Sequence, residues 1–404
     1  MLTVLKGQSR GRARRRLTRT SAVTAMILVA ATACGGSSGS AADAPSDGPI
    51  RVGMLQSLTG ALAASWGQPE GRGAELAVEE ANAAGGIGGR QVELVTLDDQ
   101  STPQRASALA QQLGQDSSVI SVLGPCCGGA ALAAKPVFQA AKLPFVFGGS
   151  TQSVVTAADH DYTYRGTYPD EYNFERIVAV LKARGLSRVA LLRTADAFGQ
   201  GASKTLASVA AGAGVTVVSE ESFNSSDADL TAQVLKVKNS SPQAILLWAY
   251  GPGAVTALKN LNQLGVLNPS VLPVFGPVGL GDDEVVGQAG DLLEGVVYAS
   301  FMARDDPKPG MQTEFLQAYT KKYGGFTVSG LVGYDSAKIV LQAAKQAAGK
   351  GMVTRESVAT EINSLKVDGA SGTFTFSKDD HSGLAVDDVA LVQVSAGQHK
   401  RYSS

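Results

Sequence analysis

The sequence predicts an α/β protein whose parallel sheets carry helices on both faces, arranged in two domains. Three observations carry that reading. The chain has 404 residues, and at roughly 100–200 residues per domain it has room for two cores. From residue 50 onward, apolar β-branched runs alternate with amphipathic stretches, and parallel strands need such crossover connections. Near Tyr164–Asp170 one series of alternations ends and a second begins.

The first series contains strands at Ile50–Leu55, Gln91–Leu97, Val119–Leu123 and Pro144–Phe147, with helices at Glu70–Ala84 and Pro103–Gly114. An Ala-rich helical stretch follows the third strand. The second series contains strands at Arg188–Arg193, Val215–Phe223, Ala244–Trp248, Val271–Phe275 and Val296–Ser300. Its helical patterns are Tyr172–Arg184, Lys204–Ala213 and Asp229–Lys238. Beyond residue 300 come two long helical patterns, Met311–Tyr323 and Leu331–Ala348, and a short one near Glu356–Asn363. The β-like runs Thr373–Ser377 and Asp388–Val394 finish the chain, and this late material, the helices included, can return to complete the first domain.

A composition of 44% hydrophobic and 18% charged residues excludes a disordered chain, a coiled coil and a collagen-like fibre. The formal charge of −1 conceals an uneven distribution. Residues 1–33 hold seven cationic side chains and no acidic one, which leaves 28 basic against 36 acidic residues, about −8, in the remainder. Nucleic-acid binding would need the opposite sign. The cations precede a short apolar run, Ala22–Ala33, too short for a bilayer-spanning helix of roughly 20 residues. A basic segment, a short apolar core and small terminal residues describe a signal peptide over 1–33. Ala31-Thr-Ala-Cys34 resembles a bacterial lipobox, with Ala31 where leucine is usual. The resemblance implies cleavage before Cys34, diacylglycerol on its sulfur, and a Gly/Ser/Ala-rich tether over 34–48 that holds the protein to the outer membrane face.

Catalytic signals are weak. The histidines His160, His381 and His399 are scattered, and the first two lie in polar, Asp-flanked loops that read as solvated surface. No GxSxG elbow, Walker A loop or HExxH occurs. Gly85-Gly-Ile-Gly-Gly89 follows a helix and precedes a strand, the reverse of a dinucleotide fingerprint, so it reads as a helix stop. Neither zinc spacing nor a disulfide framework is present. Cys126 and Cys127 are adjacent, and either a strained vicinal disulfide or two small buried thiols suits an exported body. The informative glycines follow strands: Gly124-Pro-Cys-Cys-Gly-Gly129 and Gly148-Gly-Ser-Thr151. Both put free N–H groups at the carboxyl ends of parallel strands, where open α/β sheets bind ligands and where an anion such as a carboxylate is favoured.

Gly53-Met-Leu-Gln-Ser-Leu-Thr-Gly60, then Gly71 through Gly89, then Leu97-Asp98-Asp99 resemble the opening of the leucine/isoleucine/valine-binding proteins, type I solute-binding subunits of ABC importers. The resemblance runs on through Gly124-Pro125, Tyr164-Arg165, Phe198-Gly199 and Phe275-Gly276-Pro277, covering residues 50–395. It implies two Rossmann-like lobes joined by three crossovers: 49–167 plus 300–372, and 168–299 plus 373–404. A cleft between them would take the solute by hinge closure, with no bond made, no cofactor, no metal and no nucleic acid.

Carried over by position, the first-lobe site falls on Trp66, Cys127, Gly128, Gly129, Gly149, Ser150 and Thr151. Thr151 keeps the hydroxyl that in the family helps bind a ligand carboxylate, whereas Gly128 replaces a serine. Asp170 aligns with a crossover aspartate near the ligand amine, Phe198 with an aromatic cover, and Tyr250 and Gly251 with the next second-lobe loop. Val278 stands where many amino-acid binders have a glutamate for the ligand ammonium. Branched-chain specificity is therefore not transferable. The resemblance implies a small amphipathic solute, an amino acid or related carboxylate, delivered by a monomeric protein to ABC permease subunits. A sensing receptor of the same fold, an aromatic or aliphatic carboxylate or amide binder, and an exported hydrolase are the competing readings.

Overall fold

In the computed structural model, which describes residues 48–156 and 162–403, the apolar runs form two separate sheets. The expected signal peptide, the lipidation at Cys34, the tether up to residue 47 and His160 lie outside the described residues. The first sheet contains β1 (Ile50–Gln56), β2 (Val92–Asp98), β3 (Val119–Leu123), β4 (Phe145–Phe147) and β5 (Thr163–Arg165), all parallel in the order β2-β1-β3-β4-β5. Crossover helices α1 (Gln68–Ala83), α2 (Pro103–Gln115) and α3 (Gly128–Ala140) connect them. Every residue of β3 is buried, as expected for a strand covered on both faces.

The second lobe repeats the scheme. Its parallel strands are β6 (Arg188–Thr194), β7 (Thr216–Phe223), β8 (Ala244–Trp248), β9 (Val274–Gly276) and β10 (Val297–Ser300). Its helices are α4 (Asp170–Ala183), α5 (Ala197–Ala211), α6 (Thr231–Asn239), α7 (Gly251–Gln263) and α8 (Asp283–Ala289). The chain then returns to the first lobe through α9 (Met311–Tyr323), α10 (Val328–Gly349) and α11 (Arg355–Ile362). A hairpin, β11 (Lys366–Asp368) with β12 (Thr373–Thr375), precedes the last passage, and Phe376 after it packs edge-on against Tyr164. Finally β13 (Ala390–Ser395) and β14 (Gln398–Arg401) join the second sheet antiparallel, giving the order β14-β13-β10-β9-β8-β6-β7.

Three departures from the sequence reading have local causes. The strand expected from Val271 begins at Val274, because Pro273 has no N–H for a ladder and Asn268–Leu272 closes a turn with Val271 exposed. Helix α5 begins at Ala197 rather than Lys204. Its cap is Asp196, which accepts from the Gly199 N–H at 3.0 Å, and the glycines at 199 and 201 hid the start. His381 is buried, not solvated: its ring stacks on Tyr164 at 4.6 Å, with Nδ1 2.9 Å from the Thr163 carbonyl oxygen.

Helices α1 and α10 pack unusually closely. A Cβ on Gly73 would overlap the Gly330 carbonyl oxygen, and one on Gly333 would overlap that of Glu70. These glycines therefore fix the seating of the returned helix on the first lobe, and with it the crossover geometry. Gly333→Ala should destabilise the protein by about 3 kcal/mol through this overlap. Urea denaturation checks it; an unchanged midpoint would show that the helices can separate without cost.

Candidate functional site

The carboxyl ends of β1, β3 and β4 face those of β6, β8 and β9 across a cavity of about 330 Å³. On the first lobe, β3 leads through Gly124–Cys127 into α3, which brings Cys127, Gly128 and Gly129 to the wall. The turn after β4 contributes Gly149, Ser150 and Thr151, and a single π-helical turn, Ala63–Gly67, presents Trp66. On the second lobe, Asp196 and Phe198 come from the start of α5, Tyr250 from the end of β8, and Val278 from the turn after β9.

Thr151 and Gly128 belong together. A Cβ on Gly128 would overlap the Thr151 hydroxyl, so the bare glycine lets that hydroxyl reach the first turn of α3. Three orphan N–H groups start there, and the helix dipole adds partial positive charge. The opposite wall is aromatic. Phe198 meets Tyr250 edge-on at 5.4 Å and stacks on Trp248, which stacks in turn on Phe174.

Two of the expected positions lie elsewhere. Asp170 is wholly buried behind the wall: its backbone N–H donates to the Ser150 carbonyl at 2.9 Å, and its carboxylate accepts from Asn173. Gly251 opens α7 at φ +50° and faces Ser65 rather than the cavity.

Sequence reasoning missed several wall residues, among them Ser57, Cys126, Ser225 and above all Asp196. Asp196 is the single charged residue among the described residues that line the cavity. Its oxygens are engaged. Oδ1 accepts from the Thr194 hydroxyl at 2.8 Å and from the Gly199 N–H, while Oδ2 accepts from the Tyr250 hydroxyl. An Asp directly before a helical run is an N-cap signal, and that pattern would have found it. Also unforeseen was Arg165, fully buried beneath the Gly149–Thr151 turn. Its guanidinium donates to the carbonyls of Gly149 at 2.5 Å and Thr151 at 3.1 Å.

Among the described residues, no group of three or more His, Cys, Asp or Glu is placed to hold a metal ion, and no helix is long and apolar enough to cross a membrane. The family model for periplasmic binding proteins matches residues 49–399. The chain belongs to the periplasmic binding protein family. Leu/Ile/Val-binding protein homolog 7 of Brucella melitensis is 27% identical over 322 residues, 76% of this chain and 79% of that protein. A type 1 periplasmic binding protein from Bordetella pertussis superposes with TM-score 0.79 at 25% identity, covering 88% of this chain and 100% of that one. LivJ from Streptococcus pneumoniae, a branched-chain amino acid transporter substrate-binding protein solved with isoleucine, gives TM-score 0.76 at 25% identity over 88% of this chain and 100% of that one. As a periplasmic binding protein, this chain has the two-sheet, two-lobed fold of that family.

Two buried carboxyl groups brace the first-lobe wall. Burial lifts Glu70, which accepts from Gln56 at 2.9 Å, to about 7, with the Gln56 and Trp66 side chains opposing the rise. Burial lifts Asp170 to about 6 against the pull of Ser150 and Arg165. Each group holds its proton more tightly folded than unfolded. Their contribution is complete below the ordinary carboxylate range and is lost as pH rises through about 6 and about 7. The protein should therefore be more stable at pH 5 than at pH 8, with Glu70 alone supplying on the order of 3 kcal/mol of the difference. Melting temperatures across that range check this. Glu70→Gln should flatten the slope; a slope unaltered by it would remove Glu70 as the source.

Proposed function

We propose that this periplasmic binding protein is a lipid-anchored, monomeric component of an ABC importer, and that it captures a small monocarboxylate with an apolar or aromatic body. The lipobox-like Ala31-Thr-Ala-Cys34 and the Gly/Ser-rich stretch behind it support the anchor. The observation that carries the ligand class is the distribution of charge around the cavity. A carboxylate is served by the first turn of α3 and the Thr151 hydroxyl. An α-ammonium would meet Val278 and an Asp196 already holding three donors. Leaving an ammonium there without its own counter-charge would cost several kcal/mol.

Binding works by population shift. The solute touches walls carried by different lobes, so it stabilises the closed arrangement over the open one by the contacts made only when both walls meet. The permease then reads the closed form.

A thermal-shift panel of matched pairs tests this: 4-methylpentanoate against leucine, and benzoate and phenylacetate against phenylalanine. The amine-free acids should raise the melting temperature. A response to the amino acids instead would overturn the ligand class; stabilisation by neither would overturn carboxylate capture itself. For whichever acid binds, Thr151→Ala should weaken affinity by roughly 1–3 kcal/mol in calorimetry. Unchanged affinity would take Thr151 out of the site.

A further inference from the structure

The two cysteines of the described body, Cys126 and Cys127, both line the cavity, with their sulfurs 2.7 Å apart. They sit at the end of a chain of polar contacts that leads away from the cleft. The Cys126 thiol donates to the Ser57 hydroxyl at 3.3 Å, and Ser57 donates to Asp99 Oδ1 at 2.6 Å. Asp99 is fully buried, and its second oxygen, Oδ2, has no hydrogen-bond partner among the described residues. A buried carboxylate with an idle oxygen, joined through one hydroxyl to a thiol, is a proton acceptor placed for that thiol. Ligand capture at the α3 terminus and Thr151 makes no use of it.

We infer that Cys126 and Cys127 form a redox-modifiable dithiol in the wall of the cleft, which small neutral dialkyl disulfides convert to a vicinal disulfide. Cys126 gives its proton through Ser57 to Asp99, and its sulfur attacks the small disulfide R–S–S–R. That S–S bond breaks, a mixed disulfide forms on Cys126, and the released thiolate takes the proton of Cys127. The Cys127 sulfur then displaces the second R–S⁻, which takes the proton held on Asp99. The protein dithiol is oxidised to a disulfide and the small disulfide is reduced to two thiols.

Sequence adjacency makes the product reversible. Neighbouring Cα atoms stand about 3.8 Å apart across a trans peptide, whereas unstrained disulfides need about 4.4–6.8 Å, so the bond is strained and readily reduced. The hydrogen bond with Cys126, and then burial, push the Cys127 thiol well up, which suits it to the second step rather than the first. The inference does not depend on the identity of the solute.

The test uses the full chain carrying Cys34→Ser, exposed to bis(2-hydroxyethyl) disulfide under native conditions and read by intact mass. The product should be lighter by two hydrogen atoms, should take up no iodoacetamide after denaturation, and should regain both thiols with dithiothreitol. Cys127→Ser should stop at a mixed disulfide on Cys126, and Ser57→Ala should slow the reaction roughly tenfold. Two adducts per chain, or no reaction in the folded protein while the denatured protein reacts, would overturn the inference. Because the mass of the unsubstituted pair decides the main point, a variant that fails to fold leaves the result intact.

Discussion

A single buried cation ties the fold to the site. Arg165 ends β5, the last strand of the first sheet, and the chain passes from it to α4 of the second lobe within five residues. Its guanidinium holds two carbonyls of the Gly149–Thr151 turn and lies over the Phe147 ring at 5.4 Å. A cation so placed is costly to desolvate, and burial lowers it to about 10 while the nearby Asp170 opposes the fall. Asp170 in turn anchors the same loop through its backbone N–H to Ser150. The crossover and the binding wall therefore share one pair of buried charges. Removing the Arg165 side chain would strip two carbonyls of the turn that presents Thr151 of their donor, so fold and site cannot vary independently there.

Apart from Asp196, charge is kept behind the cavity rather than on its wall. Arg165, Asp170, Glu70 and Asp99 all lie close beneath the wall, yet none of them lines it. What lines the cavity is aromatic carbon, small hydroxyls, thiols, the N–H groups that begin α3 and one carboxylate, Asp196, whose oxygens are already engaged. Helix-start dipoles of this kind are fixed by the fold and favour an anion without reorganisation. Gly128 is the residue that permits this, because any side chain there would displace Thr151 from the helix start.

How much of this was legible in the sequence depended on the length scale of the signal. Long parallel strands such as Ala244–Trp248 declare themselves because both faces are buried and the whole run is apolar. Strand β5 does not: three residues, Thr163–Arg165, include a charge whose partners are carbonyls 14 and 16 positions earlier in the chain. The glycine-rich loops were readable because turn chemistry is local. Asp196 was passed over because its neighbours Ala195 and Ala197 give no periodic pattern to mark where the helix it caps begins. His381 misled because the polar residues around it suggest solvent, whereas its ring is claimed by Tyr164, more than two hundred residues earlier.

The segment after β9 links the cavity to the start of α10. Val278 lines the cavity at its start, and four residues later Asp282 Oδ1 accepts from the Val328 N–H at 3.0 Å, at the beginning of α10. Asp283 accepts from the Phe326 N–H at 2.9 Å and from Arg304 at 2.6 Å. Second-lobe carboxyl groups thus cap the entry to the helix that the first lobe holds through Gly73 and Gly333. Burial raises Asp282 to about 8, and the Val328 N–H opposes the rise. A short 3₁₀ turn, Val278–Gly281, joins Val278 to these caps. Val278 on the cavity wall is thus joined to the α10 cap through four residues of ordered backbone.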